Sequence, residues 1–182
     1  MKRENTRRKI ISAAFELFSE KSYHDVSVEE IAKKAGLSKG GLFHYFPSKY
    51  ELARTVLSDV MDKWLKRLER KTIDLPPEEK LRTLIDAVFE LITENPKLSR
   101  FFLELYEESL KFNRANDWDT FYKKYIRSVS RLLCKAGIEE PEKKAILLGA
   151  LVDGLALHHL LSGGRLFNVD EMKREVLKIV GE

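Results

Sequence analysis

The sequence predicts an all-α protein of about nine helices. Three short helices form an N-terminal helix-turn-helix head, and the rest form a larger antiparallel bundle that dimerises. Two observations predict this class. Apolar residues recur at helical spacing along almost the whole chain, and strand alternation appears nowhere. Helix punctuation is also dense, with capping Ser and Asn before apolar runs and Gly or Pro after them.

The first helix carries the stripe Ile10/Ile11, Ala14, Leu17/Phe18. Residues 27–52, SVEEIAKKAGLSKGGLFHYFPSKYEL, follow with their signals in register. Ser27 and Glu30 have capping-box spacing, and Val26 with Ile31 forms the hydrophobic staple, so a helix starts at about Val28. Gly36 stops it. Ser38 caps a second helix, Lys39 to about Phe46, which Pro47 ends, and Ser48 with Glu51 opens the next. Ile31, Ala32, Ala35, Leu37, Leu42 and Tyr45 fall on the facing sides of two steeply crossed helices. Such a pair can lay its second helix in the major groove of DNA.

A long helix, 49 to about 71, carries Leu52, Val56, Val60, Trp64 and Leu68 and joins a head of residues 1–48 to a bundle of residues 49–182. Pro76-Pro77, Asn95-Pro96 and Pro141 open further helices, and a loop around Asn113–Asp117 precedes one from about Trp118 to Lys135. Gly137 and Gly163-Gly164 act as stops, while Asn168 and Glu171 cap a last amphipathic helix.

Charge is distributed unevenly. Lys+Arg exceed Asp+Glu by 33 to 29 overall, and residues 1–50 alone hold ten basic and six acidic residues. The whole excess of +4 therefore sits on the unit that would meet phosphates. The single cysteine, Cys134, excludes an intrachain disulfide and reads as a buried small hydrophobe. The absence of Gln and the richness in Lys and Glu give a thermophile-like composition. The run IISAAF is too short for a signal-peptide core. The segment Ala145–Gly164 is long enough to span a bilayer but carries Asp153 near its middle, so it reads as a helix buried all round in a bundle. A cytoplasmic protein with no membrane partner is expected.

Enzyme chemistry finds no support. None of His24, His44, His158 and His159 follows an acid by three residues, as helical di-iron sites require. His24-Asp25 has no partner histidines, and no phosphate loop, serine elbow or paired Cys set is present. No catalytic residue, metal or cofactor is expected.

Over roughly residues 6–54, particularly ISAAFELFSEKSYHDVSVEEIAKKAGLSKGGLFHYFPSKYELA, the chain resembles the tetracycline-repressor (TetR) family of transcriptional regulators. The resemblance implies a ligand-responsive DNA-binding repressor acting as a homodimer on a pseudo-palindromic double-stranded operator. It places Ser27 at a phosphate, Lys39, Gly40 and Gly41 at base edges, and His44, Tyr45 and Lys49 at the DNA backbone. Ser38 caps the reading helix. Phe43 stands where the family usually has tyrosine, so a phosphate-contacting hydroxyl is lost. Two glycines leave direct readout mostly to Lys39, with Val28 or Glu29, DNA shape or a basic arm Lys2–Lys9 supplying the rest.

Phe101, Phe102, Leu105, Tyr106, Trp118, Phe121, Tyr122 and Tyr125 suit a bundle core or, as a set, a cavity for a small hydrophobic effector. Asp153 and His158 interrupt an apolar helix near it. The Asp153 partner is Arg127, Arg131, a residue across a dimer seam, or a ligand. The alternative control is a protein partner of nucleoid or cell-division type acting on the same DNA binder. Gly149, Val152 and Ala156 on one helix, with Met172, Val176 and Ile179 on the last, are the expected dimer interface.

Overall fold

The structure is a computed structural model that describes residues 2–114 and 116–181; Ala115, within the expected 113–117 loop, lies outside them. The described residues form α1 (Lys2–Glu20), α2 (Val28–Lys34), α3 (Lys39–Phe43), α4 (Lys49–Thr72), α5 (Pro77–Glu94), α6 (Pro96–Lys111), α7 (Asn116–Lys135), α8 (Pro141–Ser162) and α9 (Val169–Gly181). No strand occurs among them.

The elements follow the local signals closely. Ser27 Oγ accepts the Glu30 N–H at 3.1 Å and Glu30 returns a carboxylate to the Ser27 N–H at 2.8 Å. Val26 and Ile31 are both buried, as the staple requires. Gly36 takes φ +72°, the left-handed geometry that ends α2. Ser27→Ala should remove the first of these bonds and destabilise the head by ~1 kcal/mol, read as a lower thermal midpoint. Glu30 has its pKa lowered to about 2, first by its bond to Lys21 and then by the Ser27 N–H. A carboxyl lowered on folding favours the fold above its unfolded pKa. Glu30's contribution is therefore expected to fade between about pH 4.5 and pH 2, which a pH series of melts reads.

One boundary moves. α3 ends at Phe43, not near Phe46. Pro47 disfavours helical backbone in the residue before it. The turn before it is mixed, with the Tyr45 N–H at 2.9 Å and the Phe46 N–H at 3.0 Å both donating to the Leu42 carbonyl. The basic stretch Lys2–Lys9 is helical and forms the first turns of α1.

The chain packs as two units, Met1–Asp62 with Arg100–Ala115, and Lys63–Ser99 with Asn116–Glu182. This division differs from the 48/49 boundary drawn on the sequence, because the first half of α4 and most of α6 pack with α1–α3. The first unit is centred on Ile10, Ala14, Phe18, Ile31, Leu42 and Leu52, all buried. Phe101 of α6 stacks on Phe18 at 4.8 Å between ring centroids, and Leu105 is fully buried. In the second unit α7 packs along α8, and α5 packs on α7, α8 and α9. Its core includes Leu84, Ile85, Val88, Val129, Leu133 and Leu148.

α8 departs most from expectation. It is apolar and long enough to cross a membrane, yet within this chain only Ala145, Leu148 and Gly149 are buried. Ile146, Ala150, Leu157 and Leu161 lie open, at steps of four, seven and four residues that share one face. The face with the small residues, Gly149 and Ala156 with Val152, turns into its own unit. Gly149 is buried there and Val152 and Ala156 are half-buried, but a Cβ added at Gly149 would meet no neighbouring helix within 4 Å. Val176 of α9 is likewise buried in the chain and Met172 half-buried, while Ile179 is exposed. Cys134 is exposed, since its neighbours Leu132 and Leu133 take the inward positions on α7.

Candidate nucleic-acid interface and aromatic cluster

α2 and α3 are held by complementary burial. Ile31, Ala32 and Leu42 are buried between them, with Ala35, Leu37 and Tyr45 half-buried at the margin. At about 100° per residue, a buried Leu42 with half-buried Gly41 turns Lys39, Gly40, Phe43 and His44 outward, and all four are exposed. A Cβ on Gly40 would meet no atom within 4 Å, so that backbone is open to close approach. A Cβ on Gly41 would stand 3.3 Å from Ser38 Oγ, which accepts the Gly41 N–H at 3.1 Å. Gly41 thus fits the cap of α3 more than a reading position.

Lys39 does not stand alone. Its ammonium is 2.5 Å from the Glu29 carboxylate of α2, and that bond holds Glu29 below the ordinary carboxylate pKa. Lys39 and Glu29 therefore present a donor and an acceptor side by side. Lys39→Ala should relax base preference by ~1–3 kcal/mol per half-site, read by titrating matched and mismatched duplexes.

Lys49 is committed inward. Its ammonium donates to the Tyr23 carbonyl at 2.9 Å and the Val26 carbonyl at 3.1 Å, and lies 4.3 Å from the Tyr23 ring centroid. Burial lowers its pKa. The sequence-based assignment to the DNA backbone has to be revised accordingly: the geometry makes Lys49 a staple for the turn before α2. Lys49→Met is expected to destabilise the head by ~1.5–3 kcal/mol and to leave the salt dependence of DNA affinity unchanged. A slope flatter by about one per head would restore a phosphate contact.

The first unit contains a second set of bonds that sequence reasoning missed. Tyr23 N–H donates to Glu104 of α6 at 2.7 Å. Arg114 pairs with Glu51 at 3.0 Å, and Arg54 with the other Glu51 oxygen at 3.3 Å. Ser48 Oγ accepts the Glu51 N–H, as its cap spacing implied. Partners 63 and 81 residues apart leave no local signal.

The ten residues proposed for a ligand site do not gather in one unit. Phe101, Phe102, Leu105 and Tyr106 belong to the first, where Phe101 and Leu105 are core. Trp118, Phe121, Tyr122, Tyr125, Asp153 and His158 belong to the second. There Trp118 lies 5.6 Å from Phe121 and 6.3 Å from Tyr122, ring to ring, and Tyr125 stacks on Trp64 of α4 at 6.4 Å. Tyr122 Oη donates to Asp153 at 2.7 Å, so a tyrosine hydroxyl, and neither Arg127 nor Arg131, is the partner found. Surrounding carbon raises the Asp153 pKa, although the residue retains an open surface, and raises that of buried Tyr125 as well. His158 is exposed.

The N-terminal region matches the family described as bacterial regulatory proteins, tetR family, over residues 10–56. Residues 77–179 match the C-terminal region of BetI-type transcriptional repressors. The transcriptional regulator BetI of Stenotrophomonas maltophilia is 30% identical over 180 residues, 92% of this chain and 87% of that one. The regulator RutR of Escherichia coli is 36% identical over 96 residues, 53% of this chain, and the match spans only 45% of RutR. The fold is shared with the regulator FadR of Bacillus subtilis, solved in complex with stearoyl-CoA, at a TM-score of 0.67, 20% identity and coverage of 95% and 96%. This is a family of DNA-binding regulators, not of enzymes. From its head to its last helix, the chain belongs to the tetR family of bacterial regulatory proteins.

Proposed function

We propose that this protein is a cytoplasmic homodimeric repressor. Each head sets α3 in a major groove of a pseudo-palindromic operator, and a small hydrophobic effector bound in the second unit releases the DNA. The observation that carries this reading is that α4 and α6 each run through both packing units. A change at the aromatic cluster of the second unit therefore has a continuous, hydrogen-bonded route into the head. Trp64 illustrates it, since this ring on Tyr125 stands on the same helix as Glu51 and Lys49. The cluster of Trp64, Trp118, Phe121, Tyr122 and Tyr125 offers an apolar lining, and Asp153 with Tyr122 offers a polar end. FadR, a relative in fold, was solved with an acyl-CoA, and an acyl chain is the effector class this lining suits.

An effector acts only through tighter binding to the DNA-free arrangement. Stearoyl-CoA and stearic acid are the first probes. With a duplex chosen by selection from a random pool, the active probe should weaken DNA binding roughly tenfold or more, within the usual range of such couplings. Saturating duplex should weaken probe binding by the same factor. Tyr122→Phe, which keeps the ring and removes the hydroxyl bonded to Asp153, should weaken the release while preserving DNA binding. A panel of apolar probes that leaves duplex affinity untouched contradicts a small-molecule effector.

A further inference from the structure

We propose that Phe43 reads thymine, by packing its ring on the 5-methyl group in the major groove. This rests on the reading of α3 as the groove-facing helix. The resemblance to a family that usually has tyrosine here treats Phe43 as a phosphate contact that has lost its hydroxyl. The structure assigns the ring a different use.

Phe43 has the right position. Leu42 is fully buried, and Gly41 faces the Ser38 cap. At about 100° per residue, the outward arc of α3 is then centred on Phe43 and Gly40, with Lys39 and His44 at its flanks. Phe43 thus stands at the middle of the presented face, where base edges lie, and not at its rim, where phosphates lie.

The ring is also partly open to solvent. Phe43 keeps 39% of its surface open, whereas Phe46, three residues on, is 3% open and carries Arg7 over its ring at 5.1 Å. An exposed ring on a short helix between Gly40 and His44 is apolar surface that a partner would cover.

Its chemistry fits a methyl group better than a phosphate. A phenyl ring offers no hydrogen bond to phosphate. The apolar features of the major-groove floor are the thymine 5-methyl groups, and Phe is among the side chains suited to them. Gly40 leaves the backbone beside the ring bare, with no atom within 4 Å of the point a Cβ would occupy, so the helix can come near enough for the ring to touch. Lys39, held by Glu29, covers the polar positions alongside.

Deoxyuridine differs from thymidine only by that methyl. Wild-type protein selected on a random duplex pool yields the probe duplex, and each thymine in it is then replaced singly by deoxyuridine. One thymine in each half-site should show a loss of about fourfold, the factor given by exposing one methyl-sized group. Phe43→Ala should bind the thymine duplex more weakly and lose the distinction between thymine and deoxyuridine at that position. Phe43→Leu, which keeps an apolar side chain, should retain part of it. Phe43 is only partly open, so circular dichroism checks that each variant is folded at the titration temperature. A selected duplex bound equally well at every deoxyuridine position overturns the assignment, and so does a Phe43→Ala variant that keeps the full distinction. Either result leaves the reading of α3 standing. Enrichment of no duplex by wild-type protein overturns both.

Discussion

Leu157→Glu is expected to convert the protein from dimer to monomer without unfolding it. α8 presents Ile146, Ala150, Leu157 and Leu161 on one open face, and Leu161 retains 76% of its surface in the single chain. An apolar face of that length is covered in solution by a partner or avoided by selection. A two-fold joint covers it with its own copy, so each residue of the face is used twice. Two carboxylates placed in such a seam each lose hydration at a cost of several kcal/mol. A loss of about 4 kcal/mol raises the dimer dissociation constant roughly a thousandfold. Leu157 touches solvent in the single chain, so helix content should not change. Val176→Glu supplies the contrast. Val176 is 2% exposed, and a charge there should unfold the second unit itself. Sedimentation velocity at micromolar concentration distinguishes the two variants. A Leu157→Glu protein that stays dimeric removes this face of α8 from the joint.

Phe101→Ala is expected to damage DNA binding more than effector binding. The ring is 3% exposed and stacks on Phe18 at 4.8 Å, beside fully buried Leu105. Deleting a buried phenyl in such a core costs ~3–5 kcal/mol, because the cavity collapses only in part. The loss falls on the first unit, where Glu104 of the same helix also holds the Tyr23 N–H. The variant head should melt well below wild type, and duplex binding should vanish at temperatures where wild type still binds. Tyr122→Phe, at a half-buried ring, should show the opposite pattern, with DNA binding retained and the response to probes weakened. Melting followed by duplex binding measures the first, and probe titration the second. Equal loss of probe binding in both variants would return Phe101 to the effector site.

Both expectations depend on features that differ in how far the sequence reveals them. Ser27, Glu30, Gly36 and Ser38 act on neighbours within four residues, so the starts and stops of α2 and the start of α3 follow from local chemistry alone. The end of α3 did not, because the Tyr45 and Phe46 N–H groups share the Leu42 carbonyl in a mixed turn that no single residue signals. α8 was legible as a helix but not in orientation. Its apolarity is nearly uniform, so periodicity gives no inward side, and the small residues point as well to an intrachain neighbour as to a second copy. The aromatic set shows the same limit at longer range. Phe101 and Trp118 have like chemistry and like spacing on successive helices, yet they fall into different packing units. Asp153 was recognisable as a buried-side acid in need of a partner. That the partner is the hydroxyl of Tyr122 depends on how α7 lies along α8, which no residue pattern encodes.

The central claim is that paired heads read a symmetric DNA site. The direct test is selection of duplexes from a random pool, followed by sedimentation of the protein on the selected sequence at several salt concentrations. Paired heads predict a pseudo-palindrome whose half-site centres lie about one or more helical turns apart. They predict chains bound in pairs and an affinity that falls steeply as salt rises. An asymmetric site occupied by a single chain, or a pool from which no sequence is enriched, would contradict the claim.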